Sequence, residues 1–471
     1  MKVCFIQKQI FPYFGVMSVS EAVKHKGHES EILIYALEKE IESQLLEIEP
    51  DVIAFSVLSS EHKWLRKISL EVKRILPGVT VIAGGIHALM YPADILELPA
   101  IDYVCYGEGE KIFPLLLDNL AAGTPPEGIR GIGFKEDGRP LTPEPAELIN
   151  NLDSFGEDRA LYYERYPALG NLPQKYFISS RGCPFECEFC ANRYIKEAFR
   201  DCGKYIRRKS PGCLVSEVKK TVVEYGAVSI AFADDLFIYD PAWLREFGTL
   251  YKKEVGIPYF VTARADLITE ENAACLADSG CHALTCGLET GSETLRMRVL
   301  KKNITNDRYR KCAQILDKYG IELQTSNMFC LPDEDVEAAV STIDLNMKIG
   351  ARYMFTTLFL PFPETDLADY CIRKKYLKPG YTFSDMPESF IFDSVLDIED
   401  KEKIVNLHKV AHLCLRFPRL KRFIIWLACR VRSRRFFSLL WLLSTFIRYK
   451  EERKLSFFGT AKQLWTFRKG Y

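Results

Sequence analysis

The chain has 471 residues, which is too long for one ordinary domain, so two or three domains are expected. Its hydrophobic content of 48% is typical of a globular protein, and its first residues form a short strand pattern rather than a secretion signal. Fifteen cysteines without a secretion signal argue for a reducing compartment, and a formal net charge of zero argues against a uniformly basic protein. We therefore expect a cytoplasmic protein whose thiols are available for metal.

Residues 1–125 alternate short apolar segments with amphipathic ones, as strands and helices do in an α/β fold. The expected strands are Lys2–Ile6, Glu31–Tyr35, Asp51–Ser56, Val79–Ala83 and Tyr103–Tyr106. The expected helices are Ser18–Lys26, Glu38–Ile48, His62–Leu76 and Glu108–Leu120. Five continuous apolar strands predict a doubly wound, Rossmann-like parallel sheet, which binds ligands beyond the carboxyl ends of its strands.

Two loops at those strand ends stand out. The third strand runs into Ser56-Val57-Leu58, and the fourth runs into Gly84-Gly85-Ile86-His87. A glycine pair lets the backbone approach a bulky ligand closely. Neither loop is G-x-G-x-x-G, so a nicotinamide or flavin ligand is poorly supported.

Residues 126–173 are rich in proline and glycine and have little periodicity. Ile129–Phe134 and the turn Asp137-Gly138 predict a small hairpin. We interpret this segment as a linker between two domains.

Strand–helix alternation resumes in residues 174–370. The expected strands are Lys175–Ser180, Val228–Ala233, Tyr259–Ala263, Ala283–Gly287, Glu322–Phe329 and Tyr353–Leu360. Six parallel strands with crossover helices predict a partial (β/α)6 barrel, with its active site at the carboxyl ends of the strands.

The loop after the first of these strands carries Cys183, Cys187 and Cys190 in a C-x3-C-x2-C pattern. Three thiolates at this spacing can fill three corners of a four-iron cubane and leave the fourth iron without a protein ligand. A zinc site needs a fourth ligand, and no histidine or cysteine follows at zinc-finger spacing. Three buried cysteines without metal are the alternative.

This loop, together with Phe189, resembles the C-x3-C-x-aromatic-C signature of the radical S-adenosylmethionine (SAM) superfamily. The resemblance implies a [4Fe–4S] cluster whose open iron chelates SAM. One electron, supplied by a reduced flavodoxin or ferredoxin, then cleaves SAM to a 5'-deoxyadenosyl radical. Such a cluster is labile to oxygen and implies an anaerobic or microaerobic cell.

The resemblance also implies a set of SAM-binding residues: Phe189, Asp234, Asp235, Arg264, Glu289 and Ser292. The acidic pair is expected at the SAM ammonium, Arg264 at its carboxylate, and Glu289 at the ribose, with Gly291 allowing close backbone approach. The alternatives are a solvated loop or helix cap for the pair, an ion pair with Asp266 or Asp234 for Arg264, and a helix cap for Glu289.

The first domain resembles the cobalamin-binding domain of one radical SAM class, in which S-x-L and G-G line the pocket for the cofactor's nucleotide tail. The implied cobalamin residues are Ser56, Leu58, Gly84, Gly85 and His87, and Gly107-Glu108-Gly109-Glu110 also matches that class. The loop from Gln7 to Val16 contains no histidine to ligate cobalt. The alternatives are a flavodoxin-like domain without cofactor and, for His87, a hydrogen-bonded loop histidine.

Residues 371–471 predict a helical region with a basic tail. Residues 416–471 hold 15 Lys and Arg against 2 acids, with three of the five tryptophans. The longest uncharged run, Phe436–Ile447, is too short to span a bilayer. We expect helices that lie on the inner face of a membrane; a helical cap on the barrel is the alternative, and nucleic acid is disfavoured.

Together these features predict a cobalamin-dependent radical SAM C-methyltransferase that acts on an unactivated carbon of a small molecule or a lipid. Oxidative cyclisation or carbon–carbon coupling on the same cofactors is the alternative within enzymes. A cobalamin carrier or sensor is the alternative outside them. No catalytic base or nucleophile is identifiable from the sequence.

Overall fold

The computed structural model describes residues 1–124, 126 and 128–452, with the side chains of 449–452 left out. Its first sheet has seven strands in the order β2-β1-β3-β4-β5-β6-β7. The strands are β1 (Lys2–Gln7), β2 (Glu29–Ile34), β3 (Val52–Ser56), β4 (Thr80–Gly84), β5 (Tyr103–Cys105), β6 (Ile132–Glu136) and β7 (Arg139–Leu141). β1 to β5 are parallel, which confirms the doubly wound sheet.

Helices cover both faces of this sheet. They are α1 (Phe14–His25), α2 (Ile41–Ile48), α3 (His62–Ile75), α4 (Ile86–Met90), α5 (Pro92–Leu96) and α6 (Gly109–Ala121). In β1, Val3 and Phe5 belong to one buried cluster, whereas Cys4 and Ile6 belong to the cluster on the opposite face. Because successive side chains of a strand point to opposite faces, a strand buried on both sides is apolar throughout.

The segment 126–173 does more than connect two sheets. Its hairpin β6–β7 pairs antiparallel with β5 and so extends the first sheet. The short helices α7 (Ala160–Tyr163) and α8 (Pro167–Gly170) follow. Tyr162 is fully buried in the core of the first sheet and donates its hydroxyl hydrogen to Gln7. The sequence did not predict this packing, because the segment is rich in proline and glycine and has little periodicity.

The second sheet has six strands in the order β15-β14-β13-β12-β11-β8, all parallel. The strands are β8 (Gln174–Phe177), β11 (Ser229–Phe232), β12 (Tyr259–Ala263), β13 (Cys281–Glu289), β14 (Glu322–Phe329) and β15 (Tyr353–Leu358), with a two-stranded ribbon of β9 (Ser180–Arg181) and β10 (Arg207–Arg208). The helices are α9 (Ala191–Ala198), α10 (Pro211–Tyr225), α11 (Pro241–Glu254), α12 (Glu270–Asp278), α13 (Glu293–Arg298), α14 (Asn306–Lys318), α15 (Val336–Lys348) and α16 (Asp366–Arg373). This half-barrel is the predicted one.

Three helices close the described chain: α17 (Lys401–Arg416), α18 (Lys421–Arg430) and α19 (Arg434–Glu452). α17 is buried against β15 and α15, and His408, near its middle, bonds through Nε2 to the carbonyl oxygen of Ile391 at 3.0 Å. Within the described residues, every helix is too short or too polar to cross a bilayer.

Candidate active site

A cavity of about 580 Å³ lies beyond the carboxyl ends of the first sheet's strands. Four predicted residues line it, namely Ser56, Leu58, Gly84 and Gly85. Its far wall contains Ser180 and Arg181, which lead directly into the cysteine loop. The cavity therefore joins the two loops predicted to hold cobalamin to the chain segment that carries the thiols.

Gly85 is required by the way these two loops pack. Its φ is +90°, and a Cβ there would lie 2.6 Å from the backbone nitrogen of Val57. The Val57 N–H donates to the carbonyl of Gly84, and the His87 N–H donates to the carbonyl of Val57, both at 3.0 Å. The glycine pair thus lets the loops after β3 and β4 form one continuous backbone surface. A bulky planar ligand can approach such a surface closely.

His87 is not among the residues that line the cavity. Its ring is fully buried, with Nδ1 3.1 Å from Ser59 Oγ and Nε2 3.0 Å from Asp94 Oδ2. His87 thus lies behind the glycine pair, where two polar partners hold it, and its expected contact with the cofactor's tail stays a prediction.

The three cysteines lie on a loop that a glycine turns sharply. Gly182 has φ +87°, and a Cβ there would lie 2.5 Å from the carbonyl oxygen of Tyr205. Cys183, Cys187 and Cys190 are all partly exposed, and α9 begins immediately after the third. The geometry presents three thiols on the side of the loop where the strands of the half-barrel end.

Burial raises the pKa of Cys183, and it raises that of Cys190 to about 11. These two thiols therefore favour the neutral form in the absence of metal, and a metal that binds them displaces their protons. The Arg264 guanidinium donates to Cys187 Sγ at 3.6 Å, and Asn192 Nδ2 donates to Cys190 Sγ at 3.8 Å. Donors of this kind stabilise thiolate charge, so the site fits a cluster with three sulfur ligands.

The two aspartates after β11, Asp234 and Asp235, differ in burial and in their contacts. Asp234 is buried, and its carboxylate accepts hydrogen bonds from the Ser179 N–H at 3.1 Å, from Ser179 Oγ at 2.7 Å and from the Ser180 hydroxyl. Burial raises the pKa of Asp234. Asp234 thus fixes the turn before the cysteine loop, and its expected place at a ligand ammonium stays a prediction.

Asp235, in contrast, is exposed, and its charge contributes to the raised pKa values of Cys183 and Cys190. It is the acid of this pair that lies beside the thiols and is free of the serine turn. Asp235 is therefore the acid of this pair that is accessible from solvent.

Arg264 forms an ion pair with Asp266 through two contacts of 3.1 and 3.0 Å, one of the alternatives weighed above. Its guanidinium also lies 3.5 Å above the ring of Phe185 and contacts Cys187. Both contacts keep the cation at the cysteine loop, where it can still receive a ligand carboxylate.

Glu289 has a left-handed backbone, with φ 67°, and a nearly buried side chain. Its partner is Lys302, a buried lysine that sequence reasoning did not single out, at 2.7 Å; the same Nζ donates to the carbonyl of Gly287 at 2.6 Å. Ser292 caps α13 by accepting from the Leu295 N–H at 3.4 Å. These contacts show Glu289 paired and Ser292 acting as a cap.

The backbone of Gly291 closely approaches another part of the protein, at Ser341. A Cβ there would lie 2.2 Å from the carbonyl oxygen of Ser341, and its N–H donates to Thr342 Oγ1 at 2.8 Å. The glycine therefore packs the end of β13 against α15, and its expected role beside a ribose stays a prediction. Phe189 is partly buried against the core that includes α17.

An ion-pair network that sequence reasoning missed ties the cysteine loop to the first sheet. Arg181 donates to Glu108 at 2.9 Å and also pairs with Glu110, and Glu108 accepts from Arg207 at 2.6 Å. Burial alone would raise the pKa of Glu108, but the two arginines hold it below its ordinary value. The signal was present as G-E-G-E in one domain and an arginine two residues before the first cysteine in the other.

Fold and site together define an α/β enzyme in which one cavity adjoins both a doubly wound ligand-binding sheet and a three-thiol loop on a half-barrel. Two family models agree with this division: the B12 binding domain matches residues 7–117, and the radical SAM superfamily matches residues 177–345. Together they cover more than half of the chain. The chain belongs to the radical SAM superfamily, in the class whose members carry a B12-binding domain, and its cofactors are cobalamin, a [4Fe–4S] cluster and SAM.

Individual relatives are more distant. An uncharacterized methyltransferase of Pyrococcus horikoshii is 29% identical over 70% of this chain and 71% of the relative. The anaerobic magnesium-protoporphyrin IX monomethyl ester cyclase of Rubrivivax gelatinosus is 23% identical over 76% of this chain and 66% of the relative. The cobalamin-dependent SAM radical enzyme OxsB, solved with aqua-cobalamin, shares the fold with a TM-score of 0.68, 14% identity, and coverage of 95% and 73%.

We predict that Cys187→Ala abolishes cluster assembly, because two thiolates do not hold a cubane that needs three. Iron and sulfide per chain, measured after anaerobic reconstitution, should fall at least fivefold. Cys275→Ala, a partly exposed cysteine on α12, is the matched control and should keep its iron. Equal iron in the two variants would contradict the assignment.

We predict that substitution of Asp234 and substitution of Asp235 have different effects on stability and on SAM binding. Asp234→Asn removes an acceptor from three hydrogen bonds in a buried site and should lower the free energy of unfolding by about 2 kcal/mol. Asp235→Asn should leave stability unchanged and weaken SAM binding. Urea unfolding and SAM titration of both variants check this; the reverse pattern would overturn the division of roles.

Proposed function

We propose that the protein is a C-methyltransferase that places a methyl group on an unactivated carbon. The cavity described above carries this proposal, since a single wall runs from the glycine pair of the first sheet to Arg181, two residues before the first cluster cysteine. Methyl transfer to a carbon radical requires the methyl donor and the site of hydrogen abstraction to be close together. This arrangement supports such proximity.

The cofactors supply radical formation from SAM and a transferable methyl group, and the chain supplies their positions. Cys183, Cys187 and Cys190 would ligate the cluster, and Ser56 and the Gly84–Gly85 pair would border the cobalamin. Arg264 and Asp235 provide a cation and an anion beside the thiols, which suits the carboxylate and ammonium of an amino acid. A reduced flavodoxin or ferredoxin would donate the electron.

The cavity wall also protects a reactive intermediate. Phe5, Phe55 and Phe113 contribute rings to it, and Ile82 and Leu89 add aliphatic surface. An apolar wall offers few polar groups and excludes water, which limits side reactions of a carbon radical. Glu108, Glu110 and Arg181 form its charged end, where their mutual ion pairs hold them in place.

Oxidative cyclisation or carbon–carbon coupling is the second candidate. The specific observation in its favour is the similarity to a cyclase of Rubrivivax gelatinosus over three quarters of this chain. Both chemistries would use the same cluster and cavity, so only their products distinguish them.

We predict that the reduced, reconstituted enzyme with its substrate forms 5'-deoxyadenosine and S-adenosylhomocysteine together. Both products indicate methyl transfer, because one SAM is cleaved and another gives up its methyl group. Liquid chromatography of anaerobic reactions with a cell extract as the substrate source provides the measurement, with Cys187→Ala as the inactive control. 5'-Deoxyadenosine alone would favour cyclisation or coupling, and the absence of both would favour a carrier.

We also propose that the acceptor is an apolar, membrane-associated molecule reached from the inner face of a membrane. α18 and α19 turn apolar side chains to solvent: Phe423, Trp426, Leu439 and Leu442 are each at least half exposed. From residue 417 to 448 the sequence holds seven arginines and one lysine and no acid. This combination suits insertion into an interface that carries anionic head groups.

The apolar surface continues toward the half-barrel. Trp441 of α19 contacts the exposed Phe392, with ring centroids 5.7 Å apart. Phe390, also exposed, accepts a hydrogen bond through its carbonyl from the Leu358 N–H at 2.7 Å, at the carboxyl end of β15. An apolar substrate could therefore pass from the surface of α19 to the end of the sheet where chemistry takes place.

We predict that the full chain sediments with phosphatidylglycerol vesicles and much less with phosphatidylcholine vesicles. The double substitution Phe423→Ser and Trp426→Ser should weaken binding by about two to three orders of magnitude, because burial of each ring is worth on the order of 2 kcal/mol and each 1.4 kcal/mol is a factor of about ten. Val223→Ser and Val228→Ser, at exposed positions outside the tail, form the matched control. Equal sedimentation of both double variants would contradict the docking surface.

A further inference from the structure

His87, which does not line the cavity, belongs to a separate cluster of potential metal ligands. His62 at the start of α3, His87 in α4 and Asp94 in α5 bring three ligand atoms within 4.8 Å of one another. We propose that this triad binds a divalent zinc ion, in a site separate from the cluster and the cobalamin cavity. The ion would act as a structural clamp behind the cobalamin loops.

The distances fit the coordination sphere of zinc. His62 Nε2 lies 3.1 Å and His87 Nε2 lies 3.0 Å from the same oxygen, Asp94 Oδ2. Zinc bonds of about 2.0–2.2 Å to nitrogen and oxygen place neighbouring ligands of a tetrahedron about 3.3 Å apart. Two imidazoles and a carboxylate are also a donor set that zinc prefers, and a water molecule can supply the fourth ligand.

The surroundings hold the triad in position for this task. His62 and His87 are almost completely buried, whereas the Asp94 side chain is 25% exposed and leaves a path for the ion. Ser59 Oγ lies 3.1 Å from Nδ1 of His87, as the partner that orients a metal-bound imidazole does. The ring of Phe383, from the chain after the second sheet, contacts both histidines with centroids 5.8 and 4.8 Å away.

Charge also favours a cation. Asp94 places one carboxylate oxygen against the Nε2 atoms of both histidines, which brings a negative charge to the centre of the triad. Glu364 acts electrostatically on the His87 ring, so a second carboxylate faces the site. Within the part of the chain that the structure describes, His62 Nδ1 is buried and has no hydrogen-bond partner, so hydrogen bonds do not satisfy every polar atom of the triad.

The position of the triad gives the ion a role. Ser59 follows the Ser56–Leu58 loop by one residue, and the His87 N–H bonds the carbonyl of Val57. Both loops that border the cobalamin cavity are therefore anchored through residues that touch the triad. A bound ion would cross-link α3, α4 and α5 and so hold the two loops in register.

The test is zinc content and zinc K-edge absorption of the full-length protein loaded with cluster and cobalamin. We expect about one zinc per chain, with nitrogen and oxygen neighbours near 2.0 Å and no sulfur. His62→Gln and Asp94→Asn should each lower zinc content at least fivefold while iron per chain stays constant. His25→Gln, at a largely exposed histidine, is the matched control.

The zinc-depleted variants should also bind cobalamin at least threefold more weakly, because the loops lose their cross-link. Two results would overturn the proposal: zinc content that stays below one tenth per chain even after titration with Zn²⁺, or zinc that is retained in both variants. Sulfur in the zinc coordination sphere would likewise place the metal at the cysteines and overturn it. Iron content and methyl-transfer products are separate readouts, so this result does not depend on the proposed function.

Discussion

The ion pairs of Arg181 with Glu108 and Glu110 are the interaction on which the rest of the site depends. They join the β9 strand, just before the cysteine loop, to the start of α6 beside the first sheet, across the whole of the 126–173 segment in sequence. A charged group that is largely removed from water requires a well-placed partner, so these contacts are specific in geometry. They set the position of the cysteine loop relative to the cavity, and with it the spacing between the two cofactor sites.

Around this joint, polar groups that look alike in sequence have different tasks. Of two adjacent aspartates, Asp234 holds the serine turn and Asp235 remains exposed beside the thiols. Of two glycine sites, Gly85 joins the loops of the cavity and Gly291 admits α15. The site therefore combines a rigid frame, in which donors and acceptors are paired within the protein, with a few groups left to meet ligands.

The surface of α18 and α19 differs from the site because its apolar side chains are exposed to solvent rather than buried. Packing against α17 buries Ala428 and Phe437, and the opposite side carries exposed aromatic and leucine residues among arginines. Water is a poor solvent for such a surface, whereas a lipid interface accommodates both its rings and its cations. If this face docks on a membrane as proposed, Phe392, which contacts Trp441, would lie near the lipid surface.

The sequence by itself determined the two sheets, the order of their strands along the chain and the cysteine loop. It could do so because apolar runs buried on both faces and a fixed thiol spacing are local signals. Only the tertiary structure decided that β6 and β7 extend the first sheet, that Lys302 pairs with Glu289, and that His87 joins His62 and Asp94. These outcomes depend on which groups, distant in sequence, come into contact. The residues next to a buried charge or imidazole in the sequence do not predict its partner.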